Sequence, residues 1–279
     1  MKSLRVRLNY TTIIKYFLLL VWTIITLYPL IFTVVSSLKT QNDMFSNLFG
    51  LPKAIIFDNY IKLFTQIKMG RNIINSLIVS TCTVALQMTI SSAAAFVLAR
   101  FNFRIKTGVR VFFMFGLLVP IQSVMVPVAM IAKQVNGYNS LLFLTVIYTA
   151  FQLPYYIFIL TGFMKNIPKE IEESAVIDGA SFHRVFINFI VPLSIPSIAS
   201  LSILSFFSAW NELLLALILL KKDTTRTVSV ALLTFAGDMF ADYPGLCAAV
   251  VVTVIPTVII YILLQKNIVQ GIAAGAVKG

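Results

Sequence analysis

The placement of charge constrains this chain more than any other feature. Six stretches carry no Asp, Glu, Lys or Arg: those between Lys15 and Lys39, Arg71 and Arg100, Arg110 and Lys133, Lys133 and Lys165, Arg184 and Glu212, and Asp242 and Lys266. Each exceeds the roughly 20 residues that a helix needs to cross a hydrocarbon core. The chain is 59% hydrophobic and only 11% charged, whereas soluble domains carry about a quarter charged residues. The fold class predicted is an all-α integral membrane protein with six transmembrane helices.

The net charge of +12 is spread over the flanks of these runs. It therefore speaks for membrane topology and lipid contact rather than for nucleic acid. Residues 1–15, the loop 99–110, the segment 164–190 and residues 265–279 hold the larger share of the 22 Lys and Arg, in the denser short segments. The positive-inside rule places that side, and both termini, in the cytoplasm, with the chain multi-pass in the membrane. On the same rule Gly237 to Gly245 reads as a turn-rich external tip. The first run is too long for a signal-peptide core and reads as an uncleaved span. The expected division is a cytoplasmic N-terminus 1–15, a six-span domain 16–265 and a cytoplasmic tail 266–279. Cys82 and Cys247 lie inside apolar runs, which speaks against a disulfide or metal site. His183, the one histidine, has no partner of the kind catalysis requires.

Prolines mark two spans. Pro120 and Pro127 flank Gln122 and Ser123, and a break there is tolerated where protein or a water-filled cavity surrounds the freed backbone. Gln152-Leu153-Pro154-Tyr155-Tyr156 forms a second polar, kinked patch. In the fifth run, Trp210-Asn211-Glu212 ends on an acid within membrane depth, which needs an interior partner. Gln122, Ser123, Tyr155, Asn211 and Glu212 are candidates to line a pathway; Gln122 and Ser123 read otherwise as kinked packing, the tyrosines as core, and Glu212 first as a structural hydrogen-bonding corner.

The segment Met164–Pro196 sits between two apolar runs and is polar yet patterned to fold. Pro168 suits a first helical turn. Glu170, Glu172 and Glu173 crowd that turn, where the helix dipole favours anions. Gly179 stands where a left-handed C-cap belongs, and Ser181 is placed to cap a second helix.

This segment resembles the cytoplasmic "EAA" loop of bacterial ABC importer permeases, with pattern E-A-A-x3-G-x9-I-x-L-P. The matching residues are Glu173, Ser174, Ala175, Gly179, Phe189, Val191 and Pro192. Ser174, Phe189 and Val191 depart conservatively from the pattern. The fuller form, with Asp178 before Gly179 and Ala180 after it, is similar to the carbohydrate-uptake branch. Asn59-Tyr60 with Leu63-Phe64, the Trp210-Asn211-Glu212 triplet and the tail Gly275-Ala276-Val277-Lys278-Gly279 extend the likeness to the smaller permease of maltose-type importers. The resemblance implies that loop 164–192 forms a coupling helix docked on an ATPase, with Glu172, Glu173, Ser174, Ala175, Asp178, Gly179, Ala180 and Pro192 at the contact. It implies that the tail enters the same interface. The implied partners are a homologous second permease, two ABC ATPase subunits and an extracellular or periplasmic sugar-binding protein. No G-x-x-x-x-G-K-[ST] phosphate loop occurs in the sequence. No catalytic residue and no cofactor is therefore expected on this chain, with ATP-Mg on the ATPases. A permease for another solute class, or a stand-alone secondary carrier, are the competing readings.

Overall fold

Helices account for nearly all the regular structure. A computed structural model of the chain describes residues 10–235 and 242–276, with side chains as far as residue 262. The described part falls into two compact units. One comprises residues up to 68 together with 234–254; the other comprises 69–233 and the residues from 255 onward.

In the first unit, α1 (Tyr10–Ser37) runs without interruption through Pro29. It is followed by α2 (Gln41–Ser46) and α3 (Asp58–Thr65). Asn59 and Tyr60, at the start of α3, are fasteners. The Asn59 amide donates to the carbonyls of Ser37 and Lys39 at 2.8 and 2.9 Å. The Tyr60 and Ser37 hydroxyls share a hydrogen bond of 2.7 Å. Lys39 is fully buried, and its ammonium donates to the carbonyls of Asn47 and Leu48. A charge taken out of water needs such partners, and the loop wraps around it to supply them. Thr40 caps α2 by accepting from the Asp43 amide, while Asp43 accepts from the Lys53 amide at 3.0 Å.

The second unit is built on α4 (Met69–Arg100), a 32-residue helix. Ser76, Ser80, Thr83, Ser91, Ser92 and Ala95 are all buried along it. Small side chains let neighbouring backbones approach closely, and close packing is what holds helices together where no water drives them. The third apolar run does not form one rod. It divides into α5 (Lys106–Leu118) and α6 (Ile121–Gln134), which meet at a bend of 100° across Val119-Pro120. Pro120 sets this break, as its sequence position predicts; Pro127 is absorbed within α6. The next helix, α7 (Leu141–Lys165), packs along α4 and stays continuous through Pro154. α5 lies against α7 so closely that a Cβ on Gly116 would stand 2.8 Å from the Pro154 ring.

A loop with two short helices, α8 (Glu170–Ile177) and α9 (Phe182–Val185), leads through a π-turn at Phe186–Ile190 into α10 (Val191–Asn211). The fifth apolar run ends at Glu212, and α11 (Leu214–Leu219) follows it. Next comes α12 (Val228–Leu232), tied to α4: Asn75 donates to the Thr224 and Arg226 carbonyls, and Ser76 accepts from the Val228 amide. The last helix, α13 (Tyr243–Ala276), starts in the first unit and ends in the second. Among the described residues five helices are long and apolar enough to span a membrane, and counting the bent α5/α6 pair as one span gives six. α1 begins at Tyr10 and α13 continues to Ala276. Of the expected external tip, residues 237–241 lie outside the described residues. Tyr243-Pro244-Gly245 already belong to the first turn of α13, where Asp242 accepts from the Gly245 amide.

Candidate functional site

The loop after α7 is rigid for reasons visible residue by residue. Lys169 opens α8, and the acids Glu170, Glu172 and Glu173 occupy its first turn. Its end is a Schellman turn: the Gly179 amide donates to the Val176 carbonyl and the Ala180 amide to that of Ala175. Gly179 has φ +81°. Ser181 caps α9, accepting from the Arg184 amide.

The loop is also welded to the helices beneath it. Ala175, Val185 and Ile190 are buried in one cluster with Phe96, Leu160, Met164 and Leu201. Phe101 meets Phe96 and Phe182 edge-on, with ring centres 5.7 and 5.2 Å apart. Arg100, at the end of α4, forms an ion pair with Glu172 and donates to the Ile167 carbonyl at 2.9 Å. Its side chain is only 6% exposed. The sequence reads Arg100 as one more basic flank of a span; in the structure it ties α4 to α8. Its position at the end of a charge-free run gave no sign of this.

One face of the loop remains uncovered. Ile177 is 85% exposed, Phe182 61% and Val176 45%. Glu173, Ser174, Asp178 and Gly179 lie exposed beside them. Ala175, small enough for close approach, is instead taken up by the chain's own core. A cleft of about 550 Å³ runs between this ridge and the α4 end, with Phe101, Asn102, Lys169 and Glu173 among its walls. A short apolar ridge rimmed by acids, standing off a stiff base, can receive another protein and transmit its movement. Among the described residues no three His, Cys, Asp or Glu converge on a metal position.

The pathway candidates are dispersed. Gln122 and Ser123 open α6 just after the bend, with the Ser123 hydroxyl donating to the Pro120 carbonyl at 2.7 Å. Tyr155 is 42% exposed on α7, and Asn211 ends α10. Glu212 is fully engaged: it accepts from the Leu215 and Ala216 amides at 2.9 and 3.2 Å and from the Tyr148 hydroxyl. No described hydrogen bond joins Gln122, Ser123, Tyr155 and Asn211 to one another. A polar layer lies between α4, α7 and α10; the sequence shows its Gln152–Tyr156 part, but not Gln87 and the α10 serines. Gln87, buried, donates to the Tyr148 carbonyl and accepts from Ser205. Gln152 donates to Ser208 and accepts from Tyr156. A glutamine deep in an uncharged span was the available signal. In the tail, Gly275 and Ala276 complete α13, while Val277, Lys278 and Gly279 lie outside the described residues.

Residues 87–274 match the family described as "binding-protein-dependent transport system inner membrane component". The chain is 34% identical to a putative ABC transporter permease, ORF2, of Caldicellulosiruptor sp. (strain Rt8B.4), covering 95% of this chain and 96% of that one. It is 30% identical to the galactooligosaccharides transport system permease GanQ of Bacillus subtilis, covering 99% of each. It is also 30% identical to the diacetylchitobiose uptake permease NgcG of Streptomyces coelicolor, covering 95% and 88%. A chain from the crystal structure of a bacterial ABC transporter involved in alginate import shares the fold. Its TM-score is 0.80 at 19% identity, over 91% of this chain and 95% of that one.

Proposed function

This chain belongs to the inner membrane components of binding-protein-dependent transport systems, and on that footing we propose that it carries a sugar or oligosaccharide through one half of an ABC importer's pathway. A permease of this family is not itself an enzyme; it works with a partner permease, with ATPases that hydrolyse ATP and with a binding protein. The carbohydrate assignment draws on relatives named for galactooligosaccharide and diacetylchitobiose uptake. The finer assembly proposed is one homologous, nonidentical permease, two ATPases holding ATP-Mg, and a sugar-binding protein outside the membrane. The termini and the α8 loop face the cytoplasm.

The observation that carries the reading is the exposed Val176–Ile177–Phe182 ridge held to α4 by Arg100. Closure of the ATPase pair would displace α8. The ion pair and the shared core would pass that displacement to α4, and the π-turn would pass it to α10. The spans would then rock between inward- and outward-open arrangements, a rigid-body transition driven by a partner. Purification of the tagged chain from its native host in mild detergent tests this. A P-loop ATPase, a second permease and a sugar-binding protein should accompany it, and uptake of that protein's sugar should require ATP. Transport by the chain alone would establish an autonomous carrier instead.

A further inference from the structure

We propose that the groove between α5 and α7, at the end of the spans that carries the α8 loop, is a binding site for one anionic phospholipid. The groove has a volume of about 550 Å³, within the about 300–1,000 Å³ of ligand-sized sites. Its floor is apolar, formed by Phe113 and Met114 of α5 and by Ile157, Phe158 and Phe163 of α7. Its rim carries Arg110, Lys165 and Asn166, and no Asp or Glu lines it. Lys106 and Lys169 bring further positive charge, since Lys106 lies within electrostatic reach of Arg110, Lys165 and Lys169. Of the acids in the first turn of α8, Glu172 is already held by Arg100. Among the described residues neither Arg110 nor Lys165 forms an ion pair.

This combination selects its occupant. A protein helix seated here would have to bring carboxylates to membrane depth to meet the rim. A phosphodiester brings its charge already joined to acyl chains that suit the floor. Basic pockets between spans at the cytoplasmic side bind lipid headgroups in this way. Gly162 opens the groove, because a Cβ built on it meets nothing within 4 Å. The leaflet rests on the proposed orientation; the site itself does not.

The test uses the assembled complex in mild detergent, exposed to mixed phosphatidylglycerol and phosphatidylcholine vesicles, with retained lipid counted by native mass spectrometry. One phosphatidylglycerol per copy of this chain should remain, in preference to phosphatidylcholine. The double variant Arg110→Gln/Lys165→Gln should lower its affinity about thirtyfold, taking about fivefold from each cation near the membrane surface. Gly162→Leu leaves every charge in place and replaces a helical glycine by a better helix former; it should expel the lipid while assembly and uptake persist. If the double variant fails to assemble, Gly162→Leu alone decides. Equal retention of the two lipids, unchanged retention in Gly162→Leu, or displacement of the lipid by inorganic phosphate would each overturn the site. So would cross-linking of Gly162→Cys to the second permease in intact membranes.

Discussion

At the scale of residues, Gly179 and Arg100 carry the most specific demands. Gly179 holds φ +81°, and an added Cβ would find nothing within 4 Å. Within this chain a side chain there meets no neighbour, so its cost to the fold is backbone strain alone. For an L-residue that strain is about 1–2 kcal/mol, and Asn tolerates the left-handed region better than others. Uptake per assembled complex should therefore fall in the order Gly, Asn, Ala, Val at position 179, with assembly intact throughout. Full uptake with Val would remove this turn from the coupling path. Arg100 makes a different prediction. Breaking a buried pair leaves an uncompensated charge at a cost of about 3 kcal/mol or more. Arg100→Met should thus lower the melting temperature of the purified complex more than Arg100→Met/Glu172→Met does. Strictly additive effects of the two substitutions would mean that the pair contributes nothing.

At the scale of elements, the break between α10 and α11 shows what the sequence could and could not reveal. A helix start leaves four amides without partners, and the Glu212 carboxylate takes two of them at α11. Glu212→Ala should lower the melting temperature of the complex, losing a cap of about 1 kcal/mol, while Glu212→Gln, which keeps one acceptor oxygen, should lose less. A change in uptake KM without any change in melting would assign Glu212 to the substrate instead. The run from Val185 to Asn211 was legible as one span, and Pro120 made the α5/α6 break legible too, because a missing amide is written in the sequence. The α11 start was half legible: Glu212 marked a corner, yet Leu213 to Leu220 reads as apolar whether or not a helix begins there. Lys39 and Arg100 were misread for a common reason. A cation beside an apolar run looks like a topological flank, and only the fold shows that backbone carbonyls and Glu172 have taken it inside. In the α8 loop the clustered acids, Gly179 and Ser181 were legible, since each states a local backbone requirement, whereas Pro168 precedes the Lys169 cap instead of sitting in the first turn.

At the scale of the whole molecule, α1 bears on assembly. From Tyr10 to Ile31 it is exposed almost throughout and apolar on every side, as befits a helix surrounded by lipid or by another membrane protein. Cellular abundance of the chain should fall severalfold when the second permease is absent, because small losses of stability are amplified by quality control; pulse-chase turnover with and without coexpression measures it. The π-turn at Phe186–Ile190, closed by the Val191 amide donating to the Phe186 carbonyl, has a consequence for how the gene can drift. A wide turn holds one more residue than the α-helix on either side of it. Loss of a single codon there would let the helix close to ordinary α geometry. α8 and α9 would then swing about 100° around the α10 axis and draw in by about 1.5 Å. Elsewhere in a surface loop such a deletion is absorbed by slack. Here the chain would still insert and fold its spans, but with its ridge aimed away from whatever drives it.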